Sequence, residues 1–103
     1  MAEVITPFVG GGQANATAIT DTLTMIAPAA NRDDSVLLPP ALAGADHTVW
    51  VTGSKNIALW PSAGDQVGHV AVNGYKELAP NSLARFVCFQ DGAWVMGIWQ
   101  VIF

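Results

Sequence analysis

Charge is scarce in this chain. Of its 103 residues 12% are charged, and the four basic ones, Arg32, Lys55, Lys76 and Arg85, stand apart from one another. Binding to nucleic acid or to an anionic membrane needs several cations meeting phosphates together, so neither partner is expected, the less so at a net charge of −4. Cysteine is nearly absent. Cys88 has no second thiol to pair with, and its neighbours Phe86, Val87 and Phe89 mark it as a buried, inert thiol. No apolar run reaches the ~20 residues of a membrane helix; the longest, from Ala93 to Phe103, is about half of that. The opening MAEVITPFVGGG lacks the positive stretch and apolar segment of a signal peptide, so the chain is expected to begin in the cytoplasm.

Catalytic patterns are missing too. No GxSxG or HExxH occurs, and Gly10-Gly11-Gly12 is not followed by the lysine and hydroxyl of a phosphate loop. The two histidines, His47 and His69, could join Asp46 and Asp65 around a metal, but their spacing matches no zinc pattern and the single cysteine completes none. Asp33-Asp34 is expected to cap a turn or contact a neighbour. Neither enzymatic activity, nor a cofactor, nor a metal is expected.

What is abundant is apolar surface: 51% of the residues are hydrophobic. A chain of this length forms one domain, and a small domain has proportionally much surface. So apolar a chain with so little charge is expected to cover part of itself with copies of itself or with a partner.

The apolar residues recur at strand spacing. Thr17 to Ile26 is a half-buried strand with Ile19, Leu23 and Met25 on its buried face; Ser35 to Leu38 is a short strand stopped by Pro39-Pro40. His47, Val49 and Val51 alternate with Thr48, Trp50 and Thr52, and with Ile57 to Trp60 this segment is expected to form a hairpin about Gly53-Ser54-Lys55. Val67 to Val72 is a further strand before the turn at Asn73-Gly74. Leu83 to Gln90 and the segment after Asp91-Gly92 form a hairpin suited to a type I′ turn. Helix is limited to at most one turn in PPALAGAD. The expected fold is all-β, a small antiparallel β-sandwich or barrel of jelly-roll kind spanning residues 14–103, preceded by an N-terminal arm and glycine-rich hinge at residues 1–13.

Both faces of the last strand are apolar. Trp94, Met96, Ile98 and Ile102 alternate with Val95, Trp99, Val101 and Phe103, so one face suits the core and the other needs a cover. Trp94, Met96, Ile98, Trp99, Val101, Ile102 and Phe103 are therefore the candidate subunit interface. The arm residues Glu3, Val4, Ile5, Thr6, Pro7 and Phe8 are candidates for reaching a neighbouring molecule. The four tryptophans, Trp50, Trp60, Trp94 and Trp99, suit cores and interfaces, with a sugar-stacking platform as the alternative.

The segment DSVLLPPALAGADHTVWVTGSKNIALWPSAGDQVG, from Asp34 to Gly68, resembles a recurrent β-module of tailed-bacteriophage virion proteins. The matching elements are Asp34-Ser35-Val36 with Leu38-Pro39, the Ala43-Gly44 loop, Thr48-Val49 with Val51, and Leu59 with Pro61, Gly64-Asp65 and Val67. A Leu78-centred strand, the aromatic strand around Phe86-Val87-Cys88, and Gly92 with Trp94 extend the likeness to about two thirds of the chain. It departs from the module in having Thr52-Gly53-Ser54 where an Asn usually opens the loop. The resemblance implies a non-enzymatic, trimeric protein mounted on a head, fibre or tail. A free-standing 103-residue chain with its own Met1 is closest to a head-decoration, or cement, protein: a homotrimer made in the host cytoplasm that binds the major capsid protein between capsomers and stabilises the virion capsid surface. A head-fibre or tail component and a glycan-binding module are the alternatives.

Overall fold

The structure is a computed structural model that describes residues 3–100. Ten strands make up two sheets: β1 (Glu3–Ile5), β2 (Thr17–Ala18), β3 (Leu23–Ile26), β4 (Asp34–Leu37), β5 (Asp46–Val51), β6 (Ile57–Trp60), β7 (Gln66–Val67), β8 (Lys76–Leu78), β9 (Ser82–Gln90) and β10 (Ala93–Gln100). No helix occurs among the described residues, PPALAGAD being a loop with a turn at Ala43-Gly44 up to its last residue, Asp46, which opens β5. The larger sheet runs β1-β3-β5-β9-β10-β7 and the smaller β2-β4-β6-β8.

All-β is therefore observed, but the antiparallel jelly-roll arrangement is not. Successive strands from β1 to β6 alternate between the sheets, and β1, β3 and β5 stack in parallel in one while β2, β4 and β6 stack in parallel in the other. The chain coils as a β-solenoid for three turns. Antiparallel pairing enters afterwards, where β8 closes on β6, β9 on β5, and β10 folds back on β9.

The corners explain the difference. Between β5 and β6 the chain turns from one sheet to the other, so the expected hairpin does not form. Gly53 takes a φ of 85° there, and a Cβ on it would stand 2.9 Å from the Pro28 Cα in the corner of the preceding coil. Thr52 donates through its hydroxyl to the Ile26 carbonyl at 2.6 Å, and the Asp33 N–H bonds the Asn56 carbonyl at 2.9 Å. Corners thus bond to corners, as strands do to strands, and local turn chemistry alone does not say which of the two a turn will serve.

A second corner divides the Thr17–Ile26 segment into β2 and β3, and the alternation slips by one residue across it. Ile19, Thr24 and Ile26 are buried, whereas Leu23 is exposed. Of the Val67–Val72 segment only Val67 is in a strand, as the second residue of β7, before Gly68, with a φ of 54°, turns the chain away. The hairpin at Asp91-Gly92 forms, but only Gly92 of the pair has a positive φ, so its turn is not type I′. Its ladder carries one extra residue on β9, since Ala93 pairs with Gln90 and Val95 with Val87.

Residues 3–8, expected to form a free arm, are built into the fold. β1 pairs with β3, Phe8 bridges Ser35, and Ile5 and Pro7 are buried. The glycine-rich hinge is fixed as well. Gly10 N–H donates to Asp34 Oδ1 at 3.0 Å, the Ser35 hydroxyl to the Gly11 carbonyl at 2.6 Å, and the Gln13 amide to the Pro61 carbonyl at 2.8 Å. The core lies between the sheets, with Ile26, Val36, Val49, Val51, Ile57, Leu59, Leu78, Phe86 and Trp94 among its side chains.

Candidate interaction surface

Alternation in the central strands sends every second side chain away from the core. In β5, Val49 and Val51 are fully buried and Trp50 between them points outward; in β9, Ser82 and Ala84 are buried and Leu83 points outward. The registers then align these outward residues. Val4 pairs with Met25, Met25 with Trp50, Trp50 with Leu83, and Leu83 with Trp99. One apolar row crosses β1, β3, β5, β9 and β10 on the outer face of the larger sheet. Beside it a shallow hollow of about 180 Å³ is bounded by Leu23, Met25, Thr48, Trp50 and Leu83.

The neighbouring rows add Leu23, Thr48, Arg85 and Gly97, then Asp46, Val87 and Val95. The two charges among them neutralise each other: Arg85 Nη2 lies 2.7 Å from Asp46 Oδ2. The guanidinium holds the Asp46 carboxyl below its usual value, and the carboxylate raises Arg85, in both cases mainly through the hydrogen bond between them. A nearly uncharged face on a chain of net charge −4 is a surface on which another molecule can settle without desolvating an unpaired ion.

The expected interface residues divide accordingly. Trp94, 2% exposed, belongs to the chain's own core, where its ring meets His47 edge-on at 5.7 Å, and Met96 packs against that core. Val95 (56% exposed), Ile98 (44%) and Trp99 (54%) stay open. Val101, Ile102 and Phe103 lie outside the described residues. Of the arm residues, Glu3 accepts from the Thr20 hydroxyl at 3.0 Å and Thr6 from the Thr17 hydroxyl at 2.7 Å, while Val4 and Phe8 keep exposed side chains. Met25, expected on the buried face of its strand, points outward with Leu23 because the corner after β2 shifts the phase; Trp50 is marked only as one of four tryptophans, and Leu83 not at all. Only the strand order makes them neighbours.

A second feature lies along β10. β7 pairs with it only at Ala93 and Trp94, and past that point a groove of about 640 Å³ opens beside the strand. Trp94, Met96 and Val70 line it, with His69 and Lys76 among its walls. The Trp94 indole N–H has no hydrogen-bond partner among the described residues.

The titratable groups elsewhere are engaged structurally. Asp34, fully buried, accepts from Gly10 and Asn31 N–H at 3.0 and 2.9 Å, and Asp65 accepts from Ala41 N–H at 2.8 Å. His47 contacts the Asp21 carbonyl through Nδ1 at 2.8 Å. Cys88 is buried, its thiol 3.1 Å from the Gln90 carbonyl. A hydrogen bond between the Asp33 and Glu77 carboxyls raises the first and lowers the second, with Arg32 3.2 Å from Glu77. Among the described residues no three His, Cys, Asp or Glu side chains gather as a metal would require.

Trp60 and Tyr75 form a ring pair at 4.8 Å next to the smaller sheet. Among the described residues no helix is long and apolar enough to cross a membrane. No protein-family model matches the chain, and neither does any curated protein or solved structure.

Proposed function

We propose that this chain is a non-enzymatic structural protein that works by covering surface: a phage capsid decoration, or cement, protein that associates as a homotrimer and binds the major capsid protein between capsomers. The carrying observation is the outward apolar row from Val4 through Met25, Trp50 and Leu83 to Trp99, on a face where Arg85 and Asp46 neutralise each other. The resemblance of Asp34–Gly68 to virion β-modules supplies the setting. Trp99 and the row meet their counterparts or the capsid, and Val4 and Phe8 supply further apolar contacts at the other end of the sheet. Stabilisation follows from mass action. A protein that binds only the assembled shell raises the free energy needed to open it.

Quantitative mass spectrometry of purified virions tests this reading. A copy number on the order of one per major capsid protein supports lattice-wide decoration, because such trimers occupy sites repeated across the shell. A handful of copies favours a head-fibre or tail component, and absence from the virion overturns the proposal.

The Trp60–Tyr75 pair favours a second reading, a glycan-binding module that stacks a sugar on the exposed Tyr75 ring beside the half-buried Trp60. A glycan array with a Trp60→Ala control separates the two.

A further inference from the structure

The larger sheet has open backbone groups at both of its ends, and their parities are complementary. At one end the Ile5 carbonyl accepts from Ala27 N–H at 2.8 Å, so odd-numbered residues of β1 bond toward β3 and Val4 turns its N–H and C=O to the free edge. At the other end the Gly92 and Trp94 carbonyls accept from Gln66 and Gly68 N–H, both at 2.9 Å, so even-numbered residues of β10 bond toward the β7 side. Gly68 thus fills the place opposite Val95 and then turns away. Beyond it, among the described residues, no strand meets the backbone groups of Ile98 and Gln100 on that side.

We infer that β1 of one copy adds to the sheet of the next, parallel to β10 and in line with β7, with Val4 opposite Trp99. In a parallel pair, a residue that bonds across the gap sits opposite one that bonds the other way, with both side chains on the same face. Val4 meets that condition at the odd-numbered residues of β10, which share its outward face. An antiparallel pairing would put Val4 on the inward face instead. Gly68 already fills the place opposite Val95, and with Val4 at Gly97 the chain ahead of Glu3 would run into Gly68. Trp99 is the position left. The partner's Val4 N–H then donates to the Ile98 carbonyl, and the Gln100 N–H donates to the carbonyl of the partner's Val4.

The side chains agree with the backbone. Val4 (58% exposed) and Trp99 (54%) cover each other. The outward row that runs from Val4 through Met25, Trp50 and Leu83 to Trp99 therefore continues into its own other end on the next copy. The partner's Glu3 falls opposite Ile98 on the inward side, the side of the groove where Lys76 stands without a carboxylate partner among the described residues. A second copy is favoured over a foreign strand because this chain carries both halves of the contact, matched in parity, face, direction and charge. The two halves are different surfaces, so the contact is heterologous and closes by rotation into a ring. The inference rests on the proposed homotrimer for the number of copies and names the counterpart that Trp99 meets; it uses nothing of the capsid.

Disulfide trapping and sedimentation test it. A Val4→Cys/Trp99→Cys double variant, oxidised mildly, should run as a covalent trimer on a non-reducing gel. Facing residues of neighbouring strands stand about 4.8 Å apart, within the roughly 4.4–6.8 Å disulfide range. Within one chain the same two positions lie four strand spacings apart, about 19 Å, and cannot link. Neither single variant should link, because no residue meets its own image in a heterologous contact. Glu3→Cys/Ile98→Cys, which leaves Val4 and Trp99 in place, should link in the same way. Independently of any cysteine, Val4→Asp sets a carboxylate against the Trp99 ring of the next copy. It should weaken the association roughly tenfold or more and lower the sedimenting mass, with the far-UV spectrum unchanged. The inference is overturned, with the homotrimer left standing, if the wild-type chain sediments as a trimer and neither double variant links, if a single variant links as readily as the double, or if Val4→Asp leaves the mass unchanged. A wild-type chain that sediments as a monomer at ~1 mM also overturns it, while the copy number in virions still tests the decoration reading by itself.

Discussion

Replacing Asp34 should destabilise the chain more than its position beside a surface loop suggests. The carboxylate is fully buried and accepts two backbone N–H groups, from Gly10 at 3.0 Å and Asn31 at 2.9 Å. It thereby fixes the glycine-rich turn and the β3–β4 corner to the first residue of β4. Hydrogen bonds to a charged group contribute about 1.5–3 kcal/mol each, but Gly10 and Asn31 are surface residues whose N–H groups water can reach once the loops relax. The expected loss for Asp34→Ala is therefore about 2–3 kcal/mol. Asp34→Asn keeps one acceptor oxygen and turns a donor toward the second N–H, so it should lose about half as much. In urea, with a slope near 1–1.5 kcal/mol/M for a chain of this size, the Ala variant should unfold at a midpoint about 2 M lower and the Asn variant about 1 M lower. Limited proteolysis should cut both variants faster between Gly10 and Gln13. A midpoint drop under about 0.5 M for Asp34→Ala at unchanged slope would show that the carboxylate does not hold the two loops, and would refute the reasoning.

Gly53→Ala combines a positive φ of 85° with a Cβ 2.9 Å from the Pro28 Cα, so it should cost roughly 2–3 kcal/mol, against about 1 for Gly44→Ala, whose φ is 97° but whose surroundings are open. Differential scanning fluorimetry compares them, and equal losses of Tm would remove the corner contact from the account. Trp94→Ala should cost about 3–5 kcal/mol as a core truncation, and Trp99→Ala less than about 1 kcal/mol while weakening self-association; chemical unfolding beside sedimentation tests both, and a reversed order would contradict the assigned burial. Arg85→Gln should let the Asp46 carboxyl rise toward the ordinary aspartate value, read by carboxyl NMR titration. Because Asp46 is lowered in the folded chain, the ion pair's contribution is present above the unfolded aspartate pKa and fades as pH falls through the lowered folded value. A titration indistinguishable from wild type would mean the pair does not persist in solution.

Much of the strand content was legible along the chain. The alternation in His47–Thr52 sets His47, Val49 and Val51 on one face, and all three are buried, as is Cys88, expected to be a buried thiol. Asp91-Gly92 marks a hairpin, and β9 and β10 form it. The errors sit where the chain changes sheets. Thr17–Ile26 looks continuous because threonine suits either face of a strand, yet a corner within it shifts the phase, burying Thr24 and exposing Leu23. The Gly53 turn looks like a hairpin because a glycine with positive φ serves a reversal and a solenoid corner equally.

The candidate surface was half legible. Val95, Ile98 and Trp99 stand out as an uncharged run too apolar for one core, but Trp94 in the same run packs in the chain's own interior against His47. Nothing local unites Val4, Met25, Trp50, Leu83 and Trp99, which are spread over nearly the whole chain. What the sequence determined by itself was composition and period: scarce charge, excess apolar surface, and residues that alternate between two sides of a strand. Which strands lie side by side was decided only in three dimensions, because pairing depends on how successive corners stack, Gly53 against Pro28 and Asp33 against Asn56. That stacking made the coil parallel and lined the outward residues into one row.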